Sequence, residues 1–93
     1  MNRIATWELW GQLNRSERRK VVIAIYAPEP DPESPHGDYR TLVEMQGVTK
    51  SKYGYGVNSM QSLVIAMQLL RIQLESALHD GWQYYFDADD TDP

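Results

Sequence analysis

The residue types able to do covalent or metal chemistry are scarce in this chain. There is no cysteine, so thiol nucleophiles, thiolate-bound zinc and disulfides are excluded. Of the two histidines, His36 sits near Asp31, Glu33 and Asp38, a mixed imidazole and carboxylate set. Metal ligands need a rigid frame and a satisfied outer shell. Pro28, Pro30, Pro32 and Pro35 punctuate this stretch, which reads instead as a stiff, solvated acidic loop with no metal and no cofactor. His79 falls in the last turn of an expected helix, where a cation complements the dipole. Serine catalysis needs a base and an orienting group, and no Gly-x-Ser-x-Gly turn occurs. Glu8 and Glu44 could face each other across strands, yet charged strand faces are ordinarily solvated. No catalytic residue is assigned, and the chain is expected not to be an enzyme.

The run Tyr53-Gly54-Tyr55-Gly56-Val57-Asn58-Ser59 places glycines just before a helix start. Backbone N–H groups there could hold an anion, with Gly56, Asn58 and Ser59 as the candidates. The dinucleotide fingerprint belongs to a parallel βαβ unit, and that context is missing. The plainer reading is that Gly54 and Gly56 let the helix cross close to the strand. A cleft lined by Tyr53, Tyr55, Asn58 and Ser59 is the alternative in which the chain is a ligand-binding or enzymatic domain.

These groups must be positioned by strands and a helix. Residues 3–13 alternate as a strand, with a Trp in each set. Residues 19–27 hold the β-branched run of a central strand. Pro28–Gly37 interrupts regular structure, and residues 39–47 and 51–57 alternate again. Asn58 with Gln61 forms a capping box, opening a helix from Ser59 to about His79 that stops at Gly81. Met60, Leu63, Val64, Met67, Leu70, Leu74 and Leu78 share one broad face, expected to pack on the sheet. Ile65, Leu69 and Ile72 form a second stripe nearly opposite it. Either the aromatic segment Trp82–Phe86 folds over that stripe, or it is a seam between two copies. The fold class is α+β: an antiparallel sheet of four or five strands with one long helix on one face. Residues 1–86 form a single domain, and 87–93 have the composition of an acidic, frayed tail.

Charge narrows the partners. Nine Lys and Arg against thirteen Asp and Glu give a net charge of −4. Four of the acids lie in the last seven residues, leaving nine acids against nine bases in the body. No broad basic face exists for nucleic acid. No apolar run approaches the roughly 18 residues of a membrane span, and Arg3 and Glu8 interrupt any secretory leader. A cytoplasmic setting is expected. Pro32-Glu33-Ser34-Pro35 matches Pro-x-x-Pro but lacks a flanking base.

The segments Ala27-Pro28-Glu29-Pro30-Asp31-Pro32 and Tyr55-Gly56-Val57-Asn58-Ser59-Met60-Gln61-Ser62-Leu63 resemble a family of short bacterial proteins of unknown function. Its members carry a Pro-Asp-Pro loop after a strand, then Gly-Val-Asp-(Ser/Ala)-x-Gln-Ala-Leu opening a long helix, then a late Trp. Asn58 stands where Asp is common, Ser62 where Ala is common, and Trp82 matches the late Trp. The resemblance covers the chain nearly end to end. It implies a bacterial, cytoplasmic protein and transfers no catalytic residue.

The functional expectation is a non-enzymatic protein-binding module, most concretely an immunity protein that neutralises a toxin domain. Glu29, Asp31, Glu33 and Asp38 would meet a basic partner surface, where complementary charge speeds association. Ile65, Leu69 and Ile72 would supply apolar contacts or a homodimer seam.

Overall fold

The computed structural model describes residues 2–85. The elements are β1 (Arg3–Leu13), β2 (Arg19–Tyr26), β3 (Glu29–Pro30), β4 (Tyr39–Gln46), β5 (Lys52–Gly56), α1 (Ser59–His79) and β6 (Trp82–Tyr85). The strands form one six-stranded antiparallel sheet. β4 is central: β2 pairs along one edge, Val43 opposite Ile25, and β5 along the other, Val43 opposite Lys52. β1 follows β2, and β6 closes only the far end of β1, from Trp10 opposite Tyr85 to Leu13 opposite Trp82.

The α+β class, the antiparallel sheet and the single helix stand as expected; the strand count does not. Four or five strands were expected, and the sixth, β3, comes from within the proline-rich stretch. Glu29 pairs with Arg40 and Pro30 with Tyr39. β5 holds the other edge of those same β4 residues, so β3 continues the line of β2. Pro30 lacks an N–H, and pairing stops there. The rest of the loop is tied at its base, where Asp31 N–H donates to the Asp38 carbonyl at 2.8 Å.

The core lies on one face of the sheet. Leu9, Val21, Ile23, Ile25, Val43 and Met45 alternate along their strands and meet Ala66, Ala77 and Trp82. The helix begins as the capping box requires: Asn58 Oδ1 accepts from Gln61 N–H at 2.8 Å, and Gln61 Oε1 accepts from Val57 N–H at 2.7 Å.

The buried helix face is rotated from the one expected. Its buried residues are Ser62, Ala66, Gln73 and Ala77. Leu63, Leu70 and Leu74 flank that line on one side and are half-buried, whereas Met60, Val64, Met67 and Leu78 are exposed. Ile65 and Leu69 flank it on the other side, half-buried, and Ile72 is exposed. The second stripe therefore borders the buried line rather than opposing it. Trp82, Tyr84 and Tyr85 belong to the sheet edge as β6.

The cause is the close approach of helix and strand. A Cβ on Gly54 would lie 2.5 Å from the Ala66 nitrogen, and one on Gly56 would lie 2.4 Å from the Ser62 nitrogen. At that separation only small residues fit, so Ser62 and Ala66 take the contact and the long apolar residues are pushed to its flanks. The buried Thr41 and Ser62 hydroxyls lie 2.9 Å apart, and Ser62 Oγ donates to the Ser59 carbonyl at 2.9 Å. Thr41 is therefore the donor to Ser62, and both hydroxyls are satisfied. Replacing Gly54 with Ala overpacks this contact. We expect a loss of about 2–3 kcal/mol in urea unfolding, with no change in the slope of the transition.

Candidate functional site

Because α1 sits on β4 and β5 at its N-terminal end and reaches β6 only at its C-terminal end, one corner of the core face is not covered by the helix. That corner is an apolar groove of about 470 Å3 between the first half of β1 and the helix. Ile23 and Ile25 lie in it, Ile4, Ala5 and Trp7 stand on one wall, and Leu63, Met67 and Leu70 on the other. Ile4 is 52% exposed, Trp7 50% and Met67 58%. A second hollow of about 220 Å3, lined by Lys52, Gln73, Asp80 and Trp82 among others, is smaller and more polar.

The groove runs beside the first half of β1. β1 bonds to β2 along its inner edge from Arg3 to Gly11, but β6 covers its outer edge only at residues 10–13. Among the described residues no strand pairs with the outer edge at 3–9. A register shift between Arg3 and Ala5 makes Ile4 an extra residue, which directs Arg3 to the face away from the helix.

On that outer face a polar chain holds the start of β1. Arg3 Nε donates to the Tyr26 hydroxyl at 3.0 Å, Tyr26 hydrogen-bonds the Glu44 carboxylate, and Gln46 Nε2 donates to Glu44 at 2.7 Å. The hydrogen bonds from Tyr26 and then Gln46 hold the Glu44 carboxyl below its ordinary range, outweighing the opposing effect of burial. Glu8 is not paired with Glu44; it opposes Val22 and makes an ion pair with Lys20 at 3.2 Å. No acid and base dyad forms there.

The sequence-derived candidates are scattered rather than gathered. Glu29 accepts from Arg40 Nε at 2.7 Å, and that guanidinium also lies 4.4 Å from the Tyr53 ring centre. Asp31 Oδ1 accepts from Glu33 N–H at 3.0 Å, and Asp38 Oδ2 accepts from Ser34 Oγ at 2.9 Å. Three of the four loop carboxylates thus hold the loop together, and Glu33 is exposed without such a role. Gly56 is pressed against Ser62, and the Asn58 side chain is spent on its own helix. Tyr53 and Tyr55 pair with Leu42 and Arg40 in register with the outer face, away from α1, so no cleft brings them to Asn58 and Ser59. The expected acidic tail, and Phe86, lie outside the described residues. Sequence reasoning missed the groove. Its trace was the presence of apolar residues in both alternating sets of β1, which suits an edge, and Ala5 followed by Trp7. Arg18 lies 3.6 Å from the Tyr85 ring centre and Arg19 6.0 Å from that of Trp82.

The sheet and the diagonal helix define an α+β module. A family model described as a domain of unknown function, DUF6968, matches residues 11–91, and the chain belongs to that family. Neither the curated proteins nor the solved structures include a match. No helix among the described residues is long and apolar enough to cross a membrane.

The Glu44 shift gives a pH test. Its lowered pKa in the folded chain stabilises the fold above the unfolded carboxyl value and is lost as pH falls through the folded one. Glu44→Gln should therefore cost about 0.5 kcal/mol at pH 7. The difference from wild type should shrink to nothing in strong acid, as read by urea titrations across the carboxylate range.

Proposed function

We propose that this chain is a non-enzymatic, cytoplasmic protein-binding module that contacts its partner through the apolar groove between β1 and α1. The observation that carries this reading is the groove itself, whose lining is almost wholly apolar side chains, Ile4, Ile25, Leu63 and Met67 among them. A partner segment with a large apolar side chain fits this shape.

The toxin-neutralising version would depend on the carboxylates of the 28–38 loop. Glu29, Asp31 and Asp38 already serve the loop itself, so the groove is the better-supported contact surface. The alternative of a ligand or reaction site at the helix N-terminus is disfavoured because the capping box consumes the groups that would hold a ligand.

Selection of ten-residue displayed peptides on the immobilised full chain tests the reading. Binders should carry an apolar anchor and lose about tenfold or more in affinity on Met67→Glu, roughly 1.4 kcal/mol. Binders that instead contact the 28–38 loop, or whose affinity ignores Met67→Glu, would count against it.

A further inference from the structure

The diagonal path of α1 also parts it from the sheet at the corner opposite the β1 groove. There the hollow of about 220 Å3 lies between the second half of the helix, the β4–β5 turn and Trp82. We infer that this hollow binds a small, uncharged ring carrying an amide edge, an N–H beside a C=O, which pairs with the Gln73 carboxamide. The hollow shares no lining residue with the β1 groove, so the inference goes beyond the partner-binding reading and does not rest on it.

Gln73 carries the inference. It lines the hollow and is only 9% exposed, and its Oε1 and Nε2 are both buried with no hydrogen-bond partner among the described residues. Buried polar groups are almost always paired, because an unpaired one forfeits its hydration for nothing. Whichever way the carboxamide is turned, it sets a donor beside an acceptor. The edge of a lactam is the complement, completing two parallel hydrogen bonds. A carboxylate would match only the donor, and an ammonium only the acceptor. The other buried residues of the helix are either apolar, as Ala66 and Ala77 are, or satisfied, as Ser62 is. A methionine at position 73 would fill much the same volume without burying two polar atoms.

The rest of the hollow suits an uncharged ring. Lys52 and Asp80 both line it and are exposed, and neither makes an ion pair among the described residues. Their charges are of opposite sign, so the hollow carries no net charge to favour an ion. Trp82 supplies an aromatic wall. Its indole crosses over Gly11, where a Cβ would lie 3.0 Å from Cζ3, and so reaches inward from the sheet edge. Tyr84 stacks on it with ring centres 6.4 Å apart. A cavity of about 150 Å3 holds a benzene ring, so this hollow has room for one substituted ring.

Uracil is the probe, and N,N′-dimethyluracil, the same ring without its N–H donors, is the control. In titrations of the isotope-labelled full chain, uracil should shift the NMR signals of the Gln73 side-chain amide and the Trp82 indole, with a Kd on the order of 1 mM. The control should bind about tenfold more weakly or worse, and so should uracil to Gln73→Met. Without probe, Gln73→Met should unfold at a urea concentration no lower than wild type, since the swap keeps volume and removes unpaired groups. Signals that uracil leaves unmoved overturn the inference, as does equal binding of uracil and its control, or of uracil by Gln73→Met. A Gln73→Met chain less stable than wild type overturns it too, because solvent alone would then already pair the amide. Uracil that shifts Met67 and Ile25 instead would put the ring in the β1 groove and overturn it equally.

Discussion

The contact on which this fold depends is the near-backbone approach of α1 to β5. Gly54 and Gly56 have no Cβ, and the space a Cβ would fill is occupied by the backbone of Ala66 and Ser62. A helix at ordinary sheet distance rests on its largest apolar residues. This one is drawn closer at its N-terminal end and rests on a serine and an alanine. The asymmetry follows from geometry: the two glycines that meet the helix, Gly54 and Gly56, both lie on β5, so the helix is drawn toward that edge of the sheet and crosses toward β6 as it proceeds. The buried Thr41 and Ser62 pair is tolerable because each hydroxyl is satisfied within the contact.

The same displacement makes the surface. A helix centred over the sheet would cover Ile23, Ile25 and the first half of β1. Drawn to the opposite edge, it leaves them lining a groove, with Leu63 and Leu70 half-covered and Met67 exposed. The exposed apolar residues are thus not scattered. Ile4, Trp7 and Met67 ring one concavity.

What the sequence disclosed and what it withheld divide along physical lines. Local signals were legible. The β-branched run of β2, the capping box at Asn58 and Gln61, and the stop at Gly81 each act over a few residues, and the elements fall where those signals put them. Fine pairing was not legible: two residues of β3 inside a proline-rich stretch carry no periodicity. Helix orientation was misjudged because hydrophobic periodicity weighs large residues, whereas the contact here selects small ones. The glycines held the necessary information, and the reading that Gly54 and Gly56 permit a close crossing was sound. Its consequence for which helix face is buried was not carried through. The carboxylates of the 28–38 loop looked available because sequence does not display Arg40 across a strand or Ser34 across a turn.

The first half of β1 lies beyond the reach of the helix, and its outer face supplies the polar contacts that order it. The extra residue at Ile4 turns Arg3 away from the groove, and Arg3 then anchors through Tyr26 to Glu44, a carboxylate kept ionised by its hydrogen bonds. Ala27 N–H donates to the Asn2 carbonyl at 2.7 Å, fixing the chain just before the strand. Farther along, Glu8 is tied to Lys20. The polar face therefore fixes β1 at its start and again at Glu8, while the residues of its other face, Ala5, Trp7 and Leu9, stand on the side of the helix and the groove.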